Sequence, residues 1–188
     1  MSTDVLETIR GRRSIREFSE REVTRSEIEE ILAAAVQAPN HRMTQPWRFY
    51  VLGPESRAAY GAALGARKAK KVEDPVAAQA VVDKVAKKHR SLPAMLAVAV
   101  IQDDDPEIRQ EDYAATYMAI QNLSLAAHAL GLGTHIKSGA VMDDARSREA
   151  VGVGEGERIV ATIEVGEPAA TPEPKPRKKA AELTTWVP

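Results

Sequence analysis

The chain has 188 residues, 44% of them hydrophobic and 28% charged, and its 26 Lys+Arg against 27 Asp+Glu give a net charge of -1. This length fits a single domain with a large core, and the near-cancellation of charge leaves no global electrostatic case for binding nucleic acid or an anionic membrane. There is no cysteine, which excludes disulfides, thiolate catalysis and Cys-based metal sites.

The first residues lack a cationic stretch followed by an apolar core, so they do not read as a signal peptide, and a cytoplasmic protein is expected. From Thr3 to Arg10 a Ser/Thr/Asp start and apolar positions at Val5, Leu6 and Ile9 predict a short amphipathic helix ending near Gly11. Arg12, Arg13, Ser14 and Arg16 then place three guanidiniums and a hydroxyl within five residues. Guanidinium forks suit phosphate, so the cluster is a candidate anion site; the alternative is that these arginines cap helix carbonyls or pair with Glu17 and Glu20. Thr24 with Glu27 forms a capping box, and Ile28, Ile31, Leu32, Ala35 and Val36 give the buried stripe of a helix running to about Gln37.

Residues 38–49 bring two prolines and a dense set of donors to the entry of a strand. Pro39 should end the helix, and Pro46 should fix an extended entry to the strand 47–52. Asn40, His41, Arg42, Thr44 and Gln45 either face a ligand or satisfy the loop's own carbonyls. Gly53-Pro54 reads as a turn before two helical segments at about 55–70 and 75–90, whose basic clusters read as a solvated face because no aromatic residues are interleaved.

The apolar run 92–101 is too short to span a membrane and reads as a central strand. Asp105 as N-cap and Pro106 at the first helical position explain the acidic triplet 103–105 better than a metal site does. The helix they open should run to about Leu130 and is small or apolar almost all round from Tyr113, as in a core spine or a subunit interface. Gly131-Leu132-Gly133 ends it, Thr134-His135-Ile136 reads as a short strand, and Lys137-Ser138-Gly139 as a turn. Gly152-Val153-Gly154 is a second turn, and 158–165 alternates as a strand closed by Gly166. Pro168, Pro172, Pro174 and Pro176 then make a stiff extended arm, which ends in Lys175, Arg177, Lys178 and Lys179 followed by Leu183, Trp186 and Val187. Such an end either docks onto a partner subunit or stays a loose tail.

Taken together, Arg-Arg-Ser-Ile-Arg-Glu-Phe at 12–18, Ala-Pro-Asn-His-Arg-Met-Thr-Gln-Pro-Trp-Arg-Phe at 38–49, Gly131-Leu132-Gly133, Lys137-Ser138-Gly139, Gly166 and Lys175-Pro176-Arg177 resemble the nitroreductase family of FMN-dependent oxidoreductases, over essentially the whole chain. The resemblance implies a single α+β domain, 1–188, in a three-layer fold: a central mixed, mostly antiparallel sheet flanked by helices, and a C-terminal arm, 166–188, exchanged in a homodimer. It implies FMN at the subunit interface and NAD(P)H as reductant of a small-molecule acceptor such as a nitroaromatic or quinone, by ping-pong hydride transfer. Arg12, Arg13, Ser14 and Arg16 would bind FMN from one subunit, and Gln37, Pro39, Asn40, His41, Met43 and Gln45 from the other. Lys175 and Arg177 would add to the phosphate grip, and Ile136, Lys137, Ser138 and Gly139 would face the reactive edge of the ring, where a backbone N–H stabilises the reduced flavin. The flavin would carry the chemistry, with no catalytic side chain. Gln37 and Lys137 stand where similar small members often have arginine. A flavin-storing protein with little turnover, or a different flavin chemistry on the same scaffold, is the alternative.

Overall fold

The computed structural model describes residues 4–188. Helices α1 (Val5–Gly11) and α2 (Arg25–Ala35) precede strand β1 (Trp47–Val51), helices α3 (Pro54–Ala69) and α4 (Pro75–Arg90), and strand β2 (Ala94–Ile101). Helix α5 (Pro106–Ala129), strand β3 (Gly133–Lys137), helix α6 (Ala145–Val151) and strand β4 (Glu157–Gly166) follow. The four strands form one sheet in the order β1-β2-β4-β3, with every named pairing antiparallel. The parallel element expected of a mixed sheet is confined to a single bridge, Ser14 with Thr134, beside the edge strand β3.

The sheet separates two apolar layers. Ile28, Ile31 and Ala35 of α2 and Ala115, Ala119, Ile120 and Leu123 of α5 cover one face, and Tyr60 of α3 with Met142 and Val151 covers the other. Strand β2 is buried over nearly its whole length, as its unbroken apolar run requires. The start of α5 is as expected: the Asp105 carboxylate accepts from the Glu107 and Ile108 amides, and Pro106 occupies the first turn. Thr24 and Glu27 close the capping box that opens α2. Gly53 and Pro54, expected as a turn, are the N-cap and first residue of α3, because a proline without an N–H costs nothing in a first turn. The start expected at Thr3 lies outside the described residues; within them Asp4 caps α1.

Two apolar faces remain uncovered. Val5, Leu6 and Ile9 of α1 are 67, 57 and 49% exposed, and Tyr117 and Met118 of α5 are 46 and 40% exposed. Helix α5 is therefore core spine along one face and bare apolar surface along another. Beyond β4 the chain runs beside residues 17–19, where Ser19 N–H donates to the Glu167 carbonyl at 2.9 Å and Ala169 N–H to the Glu17 carbonyl at 3.0 Å. From Ala169 onward the arm is exposed, and Trp186 is 90% exposed.

Residues 12–18 reach the sheet because two glycines make room for them. A Cβ at Gly133 would lie 2.4 Å from Ile15 Cγ1, and one at Gly166 would lie 2.8 Å from the Phe18 ring. Gly133→Val should destabilise the protein by about 1–3 kcal/mol in a denaturant titration, through forced displacement of Ile15. An unchanged midpoint would mean that the 12–18 segment is not seated on β3.

Candidate functional site

The residues singled out in the sequence fall into two groups, one at each edge of the sheet. The first lies along β3. Ile15, 3% exposed, donates its N–H to the Thr134 carbonyl at 3.0 Å and holds the segment from Arg12 to Arg16 against the edge strand. Arg12 and Arg13 stand beside His128 near the C-terminal end of α5, and burial, with these two guanidiniums next, pushes the His128 imidazole below its ordinary pKa. A cavity of about 150 Å³ opens there between Arg12, Arg13, His128, Thr134 and Thr171. Arg13 is turned back on α1: its Nη1 donates to the carbonyls of Arg10, Gly11 and Arg12 at 2.6, 3.1 and 3.0 Å. It therefore does the capping work that was the alternative for this cluster. Ser14 and Arg16 are exposed on the same edge.

Strand β3 delivers the other half of this group. Ile136 is 37% exposed, Ser138 is exposed, and Gly139 takes φ 123°, a conformation that L side chains rarely adopt, at the turn leading to the 3-10 helix Ala140–Asp143. The Lys137 side chain folds inward onto the Glu164 carboxylate of β4. Arg12, Arg16, Lys175 and Arg177 make no ion pair with the chain's own carboxylates among the described residues, whereas Arg21, Arg42, Arg90 and Arg158 each do. Of these, Arg12 borders the cavity and Arg16 lies near His135, whereas Lys175 and Arg177 stand on the exposed arm; cations left unneutralised in this way are free to meet an anionic ligand.

The second group is the loop before β1. Arg42, Met43 and Gln45 have φ of 62, 53 and 46°, three side-chain-bearing residues in the left-handed region within four positions. Each such residue costs on the order of 1 kcal/mol, so the loop needs compensating bonds. Asn40 supplies them: its Oδ1 accepts from the Gln45 N–H at 2.6 Å, and its Nδ2 donates to the His41 carbonyl and to Thr44 Oγ1, each at 3.1 Å. Thr44 Oγ1 donates to the carboxyl of Asp112, which is 3% exposed on α5. His41 Nδ1 lies 2.9 Å from Glu111, and the His41 hydrogen bond, with Arg42 beside it, holds that carboxyl below its ordinary pKa. The donors of Asn40, His41, Arg42 and Thr44 are thus largely spent on shaping the loop. Gln37, Pro39, Met43 and Gln45 are left facing outward.

The two groups do not meet within one chain. One sits at the β3 edge beside His128 and the other beside Glu111, and α5 separates these residues by about 25 Å at 1.5 Å per residue. Asp112 was not singled out in the sequence, where it is one acidic residue among several in the first turns of a helix. Only its buried contact with Thr44 distinguishes it.

The sequence profile described as the nitroreductase family matches residues 9–167. The chain belongs to the nitroreductase family. It is 36% identical over 169 residues to "Putative NAD(P)H nitroreductase YfhC" of Bacillus subtilis (strain 168), covering 90% of this chain and 87% of that protein. The crystal structure of a nitroreductase-like family protein from Bacillus cereus superposes with a TM-score of 0.86 at 29% identity, covering 100% of this chain and 97% of that one. A solved chain from Desulfovibrio desulfuricans in complex with FMN matches with a TM-score of 0.73 at 27% identity, covering 100% and 99%. These structures share the α+β architecture expected of a nitroreductase, and no helix among the described residues is long and apolar enough to cross a membrane.

Asp112→Ala should loosen the loop's hold on α5: faster amide hydrogen exchange across residues 41–45, and a stability loss of about 1–2 kcal/mol. Unaltered exchange in the loop would show that Asn40 and the contacts of His41 and Arg42 with Glu107 and Glu111 hold it without Asp112.

Proposed function

We propose that the protein is an FMN-dependent oxidoreductase that uses NAD(P)H to reduce a small-molecule acceptor, and that it works as a homodimer. The observation that carries this reading is the convergence at the β3 edge of Arg12, Ser14 and Arg16 with Lys137, Ser138 and Gly139, more than a hundred residues apart in sequence. Family membership and the FMN complex of the Desulfovibrio relative support it.

The residues present fit a flavin mononucleotide. Arg12, Lys175 and Arg177 bring cations, unpaired within the described chain, to a phosphate dianion, and Arg12 borders a cavity. Ser14 and Arg16 would hold the ribityl chain and the pyrimidine edge. Ser138 and Gly139 present exposed backbone at a turn, suited to donating an N–H toward the ring edge where electron density accumulates. A bound flavin would supply hydride and electron transfer between a nicotinamide and a nitroaromatic, quinone or related acceptor. No side chain of the cluster needs to act as nucleophile or obligatory base; the chain binds, orients and tunes.

The separation of the two groups of residues supports the homodimer. A single nucleotide cannot bridge about 25 Å of α5 to touch both the β3 edge and the 38–45 loop. A second copy brings the outward face of that loop, with Pro39, Met43 and Gln45, to the first copy's β3 edge. The bare apolar residues of α1 and α5 lie on two helices that pack on each other, and they supply a surface for association. The extended arm, with Lys175, Arg177 and the apolar Leu183, Trp186 and Val187, would then lie over the partner.

The visible absorption spectrum with added FMN tests the cofactor. Uptake of one FMN per chain and steady-state NAD(P)H oxidation with a nitroaromatic are expected, and full uptake without turnover would favour the flavin-storing alternative. Arg12→Ala and Lys175→Ala should each weaken FMN binding by about 1–3 kcal/mol, and unchanged titrations in both would remove these residues from the phosphate site. Leu6→Glu combined with Met118→Glu should shift sedimentation from dimer to monomer and abolish FMN uptake; a monomeric variant that binds FMN normally would refute the shared site.

A further inference from the structure

The face of the sheet opposite α5 carries a cluster of charge that the flavin reading does not use. Glu164 of β4 is 2% exposed and lies directly across the ladder from His135 of β3. Its Oε2 is 3.1 Å from His135 Nδ1, and its Oε1 takes the Lys137 ammonium. From α4, His89, also 2% exposed, points Nε2 at the same carboxylate from 4.0 Å. His89 Nδ1 is 2.8 Å from the Val85 carbonyl, so it carries the ring proton, and Nε2 has no hydrogen-bond partner among the described residues. Burial pushes both imidazoles below their ordinary pKa. Lys68 of α3 lies near enough to act on His89, and Arg16 near enough to act on His135. Tyr60 of α3 completes the surroundings with its ring beside His89.

A carboxylate this deep is expensive. Desolvating it costs several kcal/mol, and a pairing with a lysine recovers that only in part, so well-packed apolar residues in place of both partners would serve the fold at least as well. What the carboxylate does here is decide where the Lys137 charge resides. Lysine carries a compact point charge on a flexible stem, and that charge goes to the strongest acceptor within reach. Glu164 holds it under the sheet, one residue before the exposed Ser138-Gly139 turn.

We propose that Glu164 is a positioning residue of this site: by binding Lys137 and His135 from below the sheet, it sets how much positive charge the 137–139 turn presents to a bound flavin. The proposal rests on the flavin reading above. The quantity it controls is an equilibrium. A flavin that takes two electrons and, near neutral pH, one proton becomes more negative by one charge, so a freed ammonium nearby favours the reduced form and an uncompensated carboxylate opposes it.

The experiment is spectroelectrochemical titration of bound FMN, the electrode supplying the electrons, in the wild-type protein, Glu164→Gln, Lys137→Gln and the double variant, with FMN binding measured in parallel. Glu164→Gln should bind reduced FMN about tenfold more tightly relative to oxidised FMN than the wild type does, a rise of about 30 mV for a two-electron couple. Lys137→Gln, which leaves the Glu164 carboxylate with His135 alone as its close partner, should move the potential the other way by a similar amount. The double variant, with the net charge of the pair restored, should return toward wild type. FMN-loaded variants whose potentials coincide with wild type would overturn the proposal alone. A wild-type protein that takes up no FMN would overturn the flavin reading and this proposal with it.

Discussion

Ile15 occupies the space that Gly133 leaves by having no side chain, and much of the candidate site depends on that contact. A strand at the edge of a sheet presents unpaired N–H and carbonyl groups, which must be covered, paired or exposed to water. Here the edge strand β3 is covered by the chain's own residues 12–18, held by the Ile15 N–H on the Thr134 carbonyl and by Phe18 against Gly166. The same docking carries Arg12, Ser14 and Arg16 to the strand that ends in Lys137. It also launches the arm, because residues 17–19 are the rail along which Glu167 and Ala169 leave the sheet. Two apolar side chains seated against two glycines thus set Arg12, Ser14 and Arg16 against β3 and the direction in which the tail leaves the sheet.

The loop before β1 answers to a different constraint. Three residues with positive φ and side chains cannot persist on local preference, and Asn40 and Asp112 hold them from two sides. The result is a braced loop whose polar groups are largely spent on bonds within the loop and to α5, and whose Met43 stands 70% exposed. Such a loop is suited to lie flat against a ring system supplied from outside the chain. Helix α5 sets the distance: it anchors the loop through residues 107–112 and runs past the β3 edge at His128. A long rigid rod with one group of candidate residues at either end keeps the two groups apart within one chain.

Much of this was legible in the sequence because it is written in local signals. The Thr24 box, the Asp105-Pro106 start and the apolar run of β2 each depend on a few adjacent residues, and each forms where expected. Helix α6 was not legible: it has seven residues and few apolar positions. Its left-handed Gly152 stop was read only as part of a turn, and its Asp144 cap was not read. The site residues were found through family resemblance and their order along the chain. What the sequence could not separate was occupation: Arg12 and Arg13 are neighbours of one type, yet the Arg13 guanidinium folds back on the carbonyls that end α1 and the Arg12 guanidinium makes no such bond among the described residues. Asp112 and Glu164 were invisible for a related reason, since a carboxylate's burial is a property of the packing around it.

The two departures from the commoner arginines, Gln37 and Lys137, look different once the packing is known. Gln37 lies on an exposed turn past the end of α2, where a shorter neutral side chain removes reach and charge from a surface position but disturbs nothing beneath it. Lys137 is bound into the ladder. An arginine there would carry a broad, planar group with five donors into a space closed by His89, His135 and Tyr60 over a single carboxylate, and the unused donors would be buried without partners. A lysine fits because its head is compact and its remaining hydration can be met at the half-open side. The residue at 137 and the carboxylate at 164 are therefore one choice, made together: the charge is kept in the chain, but beneath the sheet.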